Sequence, residues 1–284
     1  MLALEEPESH LHPQAQRALF VQIEAIPGQR IVSTHSPIIA SQAKILQLRH
    51  FSKNGACTEV TQLDPGLSAH HSIRIERMVL NTRGDLLYAR AIVLYEGEQT
   101  EDQALPIFAE DYWGIHPNAL GITMIAVSGR NYLPFLLLAK NFKIPWFIFS
   151  DGEEDTIRIV NSCLEAISEP KDSHRFQKLP DGKNFEKYIV NDIYKDALID
   201  MIAEVNAKNE GHKKALQKDW QNKSDPINAI VLELESGKTR YGRLIAKAIT
   251  SIPQKELRSP PIIKKLFEYI SEELNIAEHG GDAS

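Results

Sequence analysis

Ala91-Ile92-Val93-Leu94-Tyr95-Glu96-Gly97 opens the segment that decides the fold of this chain. Five apolar or aromatic residues lead directly into a carboxylate, and Trp146-Phe147-Ile148-Phe149-Ser150-Asp151-Gly152-Glu153 repeats that pattern further along. Short apolar runs bounded by glycine and acidic residues are typical of buried strands. In an open parallel sheet, ligands bind at the carboxyl ends of the strands. The two segments therefore predict one acidic pocket that contains Glu96, Asp151 and Glu153.

An acidic pocket of this kind favours a metal ion. Carboxylates at close range cannot all stay ionised unless a cation holds them. Oxygen ligands from acidic side chains favour a hard divalent ion such as Mg²⁺ or Mn²⁺. Each acid also has an ordinary interpretation, with Glu96 as a helix cap, Asp151 in a surface turn and Glu153 solvated.

The segments around these strands predict the fold class. A helix is expected over 100–112, a strand over 122–127 and a helix over 133–142. Strands that alternate with helices at this spacing favour an α/β fold with a parallel sheet flanked by helices.

The N-terminal segment carries a second pattern. Leu2-Ala3-Leu4-Glu5-Glu6 reads as a strand ending in two acids, Pro13–Ala25 as a helix, and Gln29–Pro37 as a strand that ends at His35. The chain has no Gly-x-x-x-x-Gly-Lys-[Ser/Thr], the loop that cradles nucleotide phosphates. His10 and His12 lie two apart without a nearby cysteine, so a zinc site is not favoured.

These motifs resemble known families. The N-terminal segment resembles the Walker B strand and H-loop of ABC-type ATPases that handle DNA, which implies nucleotide-binding roles for Glu5, Glu6 and His35. The later segments resemble the TOPRIM domain, whose hallmark is a strand-borne glutamate and a later Asp-x-Asp. The order of an ATPase tail followed by a TOPRIM module resembles the OLD (overcoming lysogenisation defect) family of nucleases, a group that includes the Gabija-type antiphage nucleases.

The resemblance implies roles for further residues. Glu96, Asp151 and Glu153 would hold one metal ion, and Glu101 and Glu186 would contribute to a second. Lys238 would stabilise the charge of the cleaved phosphate, so that Glu96, Asp151, Glu153 and Lys238 form the catalytic set. Glu98 is an alternative to Glu101, and a glutamate stands at 153 where the family has aspartate.

The domain organisation expected from these patterns has four parts. Residues 1–66 form a partial ABC-type ATPase lobe without a Walker A motif, and residues 67–88 form a connector. Residues 89–258 form the TOPRIM domain with a helical insertion at about 192–222, and residues 259–284 form a C-terminal helix and tail. We expect that the chain is part of a longer ATPase or that a separate chain supplies the missing lobe, and that ATP matters only if that lobe is present.

Composition sets the remaining expectations. The net charge of -6 gives no global attraction to DNA, although a local basic surface can bind phosphate. The two cysteines, Cys57 and Cys163, support neither a disulfide framework nor zinc, which favours a cytoplasmic location. The run of apolar residues needed for a membrane span is absent from the sequence, and no membrane is expected as a partner.

The leading function is a DNA endonuclease or nickase that uses two Mg²⁺ or Mn²⁺ ions, in antiphage defence or DNA metabolism. The expected partners are DNA, a second copy in a homodimer, and a helicase or the missing ATPase lobe. The alternative is a non-catalytic ATPase-associated module that binds DNA or a partner and has a degenerate TOPRIM site. Primase-like nucleotidyl transfer is a third option.

Overall fold

The computed structural model describes residues 1–277, apart from the side chain of Asn54. The chain divides into two compact units. The first contains Met1–Arg90 and Leu133–Pro145, and the second contains Ala91–Tyr132 and the chain from Trp146 onward. The domain bounds expected from the sequence stay a prediction.

The first unit begins with a β-α-β arrangement. Strand β1 (Leu2–Glu5) pairs in parallel with β2 (Arg30–Ser33), and helix α1 (Pro13–Ala25) connects them. Pro13 occupies the first helical turn, where its missing N–H costs nothing, and His12 Nδ1 accepts a hydrogen bond from the Gln14 backbone at 3.4 Å. The helix predicted from the sequence has these same bounds.

The remainder of the first unit holds short helices and one hairpin. Strands β3 (His50–Asn54) and β4 (Cys57–Thr61) pair in antiparallel fashion. The apolar pattern over 45–51 predicts a strand, but only His50 and Phe51 of this range belong to one. Ile45–Gln47 instead forms a 3₁₀ turn, in which the Ile45 backbone N–H donates to Glu76 Oε1 at 2.9 Å. The helices are α2 (Pro37–Gln42), α3 (Ala69–Ile75), which continues as a π-helix (Glu76–Leu80), α4 (Asn81–Arg83) and α6 (Tyr132–Phe142), with a 3₁₀ turn at Gly84–Tyr88.

The second unit is built on a sheet of four parallel strands. These are β5 (Ala91–Tyr95), β6 (Ile122–Ala126), β7 (Trp146–Ser150) and β8 (Phe176–Lys178), in the order β6-β5-β7-β8. Every residue of β5 and β7 is buried, as their continuous apolar runs predict. The predicted α/β class with a parallel sheet is confirmed.

Helices supply the remainder of the second unit. The described part of this unit includes α5 (Glu101–Trp113), α7 (Glu154–Ala166), α8 (Phe185–Ile189), α9 (Lys195–Asn206), α10 (Glu210–Gln221), α11 (Pro226–Ser236), α12 (Lys238–Thr250) and α13 (Pro261–Leu274). Helix α12 packs closely against the residues that lead into α5, since a Cβ on Gly242 would lie 3.0 Å from the Gln99 carbonyl oxygen and 3.1 Å from Thr100 Cα. Residues 278–284 of the predicted C-terminal tail lie outside the described residues. No helix among residues 1–277 is long and apolar enough to cross a membrane.

Candidate functional site

The two central strands of the second unit bring the predicted acids to one edge of the sheet. Tyr95 of β5 lies opposite Phe149 of β7, so Glu96 and Asp151 leave the sheet on the same side. The backbone then turns tightly after β7. A Cβ on Gly152 would lie 2.0 Å from the Pro180 carbonyl oxygen, so only glycine fits at this position.

Glu96 belongs to a charged cluster at this edge. Arg130 Nε donates to Glu96 Oε1 at 2.5 Å, and Arg130 Nη2 donates to Glu153 Oε2 at 3.2 Å. Thr156 Oγ1 donates to Glu96 Oε2 at 2.8 Å. Both oxygens of Glu96 therefore have protein partners, while the side chain of Glu153 stays 48% exposed.

A second cluster surrounds Glu186 on α8. Glu186 is 1% exposed, and Thr100 Oγ1 donates to its Oε1 at 2.6 Å. Lys238, at the start of α12, places its Nζ 3.3 Å from Glu186 Oε2. Contacts between α5, α8 and α12 thus bring together three residues that are far apart in the sequence.

Glu101 lies at the first position of α5 and is 6% exposed. Its carboxylate rests against Gly97, where an added Cβ would lie 1.6 Å from Glu101 Oε2. The alternative candidate, Glu98, is exposed. Of the two, Glu101 is the acid that the structure places near the other carboxylates.

Two of the acids have strongly raised pKa values. Burial and the neighbouring charge of Glu96 raise the pKa of Asp151 to about 7. Burial and the charge of Asp151 raise the pKa of Glu101 to about 8. A carboxyl group that resists ionisation in this way gains most from a nearby cation.

Lys238 and Tyr132 face the same carboxylates. Burial lowers the pKa of Lys238, but the charges of Glu186, Glu101 and Asp151 outweigh it and the net shift is upward. Burial, followed by the charge of Glu96, raises the pKa of Tyr132. The Tyr132 hydroxyl is buried and has no hydrogen-bond partner among the described residues.

The donor set of this edge fits a hard divalent ion. Asp151 Oδ1 is buried without a hydrogen-bond partner from the described part of the chain, and the acids around it offer only oxygen ligands. In the present arrangement, no three His, Cys, Asp or Glu side chains of residues 1–277 are grouped so as to hold an ion. Arg130 and Lys238 supply the positive charge instead. The proposed ligand roles of Glu96, Glu101, Asp151, Glu153 and Glu186 stay predictions.

Four residues of this site were missed in the sequence. These are Thr100, Arg130, Tyr132 and Thr156, each of which contacts or electrostatically couples to one of the predicted acids. Arg130 had a usable signal, because Ser128-Gly129-Arg130 directly follows the end of β6 at the same edge of the sheet. The threonines had none, since hydroxyl groups near the start of a helix are common caps.

The N-terminal candidates lie together in the first unit. Glu5 lies opposite Ser33 in the parallel pair of strands, so the carboxyl ends of β1 and β2 meet. His35 Nε2 lies 3.4 Å from Glu6 Oε1, and both side chains are largely exposed. Their nucleotide-binding roles stay a prediction.

Strands β5 and β6 and the start of the acidic edge lie in a segment that matches a TOPRIM family model. The family model for the TOPRIM domain of overcoming lysogenization defect protein-like proteins matches residues 87–152, and the AAA_21 model of an AAA domain matches residues 1–41. An AAA-type segment followed by an OLD-like TOPRIM segment is the order of modules that the sequence motifs predict.

Two curated relatives match the sequence. The uncharacterized protein YbjD of Escherichia coli K12 is 24% identical over 95% of this chain and 46% of its own length. The OLD nuclease of Thermus scotoductus is 29% identical over 53% of this chain and 30% of its own length. The chain therefore spans less than half the length of these two relatives.

Solved structures also resemble this chain. The C-terminal region of the Xanthomonas campestris OLD protein covers 67% of this chain with a TM-score of 0.49 and 20% identity, and 96% of that region is covered. The C-terminal region of the Burkholderia pseudomallei OLD protein covers 66% with a TM-score of 0.45 and 19% identity, and 99% of that region is covered.

Proposed function

We propose that the second unit is a DNA endonuclease or nickase that hydrolyses phosphodiester bonds with two divalent ions, Mg²⁺ or Mn²⁺. One observation carries the proposal. Asp151, half-buried at the carboxyl end of a central strand, has a buried, unpartnered carboxylate oxygen among acids that repel it. The OLD nuclease of Thermus scotoductus, a relative by sequence, gives the reaction class.

The position of each side chain suggests its role in the proposed reaction. Glu96, Asp151 and Glu153 would hold one ion, and Glu101 and Glu186 would hold the second. When bound, such ions supply charge stabilisation and a nucleophilic water at neutral pH. Thr100 orients Glu186 through its 2.6 Å hydrogen bond. Lys238, 38% exposed beside Glu186, is placed to pair with a phosphate oxygen as negative charge develops.

The wider context of the proposal rests on the resemblance to OLD proteins. DNA is the proposed substrate, and a homodimer is the proposed assembly. A helicase or an ATPase lobe from elsewhere is a further proposed partner, and ATP would act only through that lobe. The proposed biological setting is antiphage defence or DNA metabolism in the cytoplasm.

The test is cleavage of supercoiled plasmid in EDTA, Mg²⁺ or Mn²⁺ by the wild type and by Asp151→Asn. We expect metal-dependent nicking or linearisation that falls by at least about 100-fold in the variant, because even residues outside the metal's ligand set change activity by about 10–100-fold. The matched control is Asp181→Asn, which replaces an aspartate that is 91% exposed. Cleavage that survives in Asp151→Asn would overturn the site assignment.

A second candidate is the non-catalytic binding module. The Arg130 bridge between Glu96 and Glu153 favours it, because one guanidinium pairs with two of the acids and offsets part of their charge without a metal. This candidate predicts DNA or partner binding without cleavage, and the same binding by Asp151→Asn. Plasmid cleavage by the wild type would exclude it.

A further inference from the structure

Arg130 forms ion pairs with Glu96 and Glu153, two of the acids that are metal ligands in the proposed function. Its planar guanidinium donates to one oxygen of Glu96 and to one oxygen of Glu153. Guanidinium groups form strong, directional pairs with carboxylates, and the Arg130 side chain is only 30% exposed. In this arrangement, the protein itself supplies the cation that holds Glu96 and Glu153.

Each carboxylate oxygen of Glu96 already accepts a hydrogen bond from another side chain. Oε1 accepts from Arg130 Nε, and Oε2 accepts from the Thr156 hydroxyl at 2.8 Å. An ion on the Arg130 side of Glu96 would also meet the positive charge of the guanidinium at short range, where like charges repel strongly. Asp151 differs, because its Oδ1 has no hydrogen-bond partner within residues 1–277. A metal ion bound to Asp151 Oδ1 would displace no protein hydrogen bond there, whereas an ion shared with Glu96 would compete with Arg130.

The backbone under Arg130 has an unusual conformation. Gly129 and Arg130 follow β6 in a 3₁₀ turn, with φ values of 61° and 58°. A left-handed conformation is unfavourable for a residue with a Cβ, so surrounding contacts must maintain it. The two ion pairs of the Arg130 side chain are contacts of that kind.

We propose that Arg130 is an internal counter-ion that competes with the divalent metal for Glu96 and Glu153, so that metal binding requires Arg130 to release Glu96. This inference rests on the proposed function, because it takes the divalent site as given. Arg130 is here a positioning residue that sets how tightly the metal binds.

The first test measures Mn²⁺ binding to DNA-free protein from the free-Mn²⁺ signal in electron paramagnetic resonance. For Arg130→Gln we expect a Kd about tenfold lower than that of the wild type, because a hydrogen-bonded ion pair that the metal must break is absent. The matched control is Arg158→Gln. Arg158 pairs with Glu154 and Asp155 on the same helix as Thr156, and its side chain is 68% exposed, so its loss should leave the Kd unchanged.

A second variant, Arg130→Gly, distinguishes loss of the ion pairs from misfolding of the turn. Glycine adopts a positive φ without strain, so this variant should fold as well as the wild type and should show the same tightening of the Kd. If both Arg130 variants bind Mn²⁺ no more tightly than the wild type, while Asp151→Asn abolishes binding, the inference is overturned and the proposed metal site stands. If wild type and every variant fail to bind Mn²⁺, both proposals fall together.

The second test observes Arg130 directly. In a ¹H–¹⁵N spectrum of arginine Nε–H groups, the Arg130 signal is identified by its loss in Arg130→Gln. We expect this signal to shift and to exchange faster with water when Mg²⁺ saturates the protein, since its acceptor on Glu96 is taken. The Arg158 signal should not move. An Arg130 signal that keeps its position and protection at saturating Mg²⁺ would overturn the competition.

Discussion

At the scale of the residue, Asp151 and Glu101 make the stability of the metal-free protein depend on pH. Their folded pKa values are about 7 and about 8, whereas the unfolded chain has ordinary values near 4. At pH values between the unfolded and the folded pKa values, the folded state binds more protons than the unfolded state. The stability of the folded state therefore falls as pH rises through this range. We expect the melting temperature in EDTA to decrease from about pH 5 to about pH 9, and Glu101→Gln to reduce that decrease.

A control separates this effect from general titration. Glu154→Gln removes a carboxylate that is 92% exposed, and it should leave the pH profile of melting unchanged. Mg²⁺ should stabilise the wild type more at high pH than at low pH, because ligands must lose their protons to bind a metal. A melting profile that is the same in wild type and Glu101→Gln would contradict the raised pKa of Glu101.

At the scale of the element, two glycines at the strand ends serve different purposes. In Gly152→Ala the new Cβ would meet the Pro180 carbonyl oxygen at 2.0 Å, and backbone cannot yield cheaply. In Gly97→Ala the Cβ would meet only the end of the Glu101 side chain at 1.6 Å, which can rotate away. We expect Gly152→Ala to lower the free energy of unfolding by about 3 kcal/mol or more, and Gly97→Ala to lower it by under about 1 kcal/mol.

The two variants should also differ in metal binding. Gly97→Ala moves a proposed metal ligand, so its Mn²⁺ affinity should fall although its fold survives. Urea unfolding and Mn²⁺ titration of both variants measure the two effects separately. The opposite outcome, an unstable Gly97→Ala that retains full Mn²⁺ affinity, would show that the Glu101 carboxyl is not held over Gly97.

The strands that carry the site were predictable, and the contacts between distant elements were not. β5 and β7 are unbroken apolar runs that end in acids, and a pattern of that kind depends on neighbouring residues alone. The strand predicted over 45–51 begins only at His50, because Ile45 is buried in a 3₁₀ turn and its backbone N–H bonds to the distant side chain of Glu76. The bond from Thr100 to Glu186 likewise spans 86 positions and depends on how α8 packs beside α5.

At the scale of the whole molecule, the chain carries a net charge of -6, so phosphate binding must depend on local cations or bound metal. The cations of the candidate site, Arg130 and Lys238, are both paired with acids of that site. Under the proposed function, an ion that binds those acids would free these two cations to pair with the phosphates of DNA. Metal loading and DNA binding should therefore be coupled in the second unit.

Hydrogen exchange tests whether the metal acts on one unit or on both. A ligand slows exchange only in segments whose opening it opposes, by about 100-fold at a concentration of 100 times its Kd. With saturating Mn²⁺ we expect slower exchange at 96–101, 151–156 and 185–189, and unchanged exchange over 1–40. Mg²⁺ with ATP should leave the first unit unchanged, because the chain has no phosphate-cradling loop. Slower exchange centred on Glu5 and His35 instead would place the divalent ion in the first unit and contradict the proposed site.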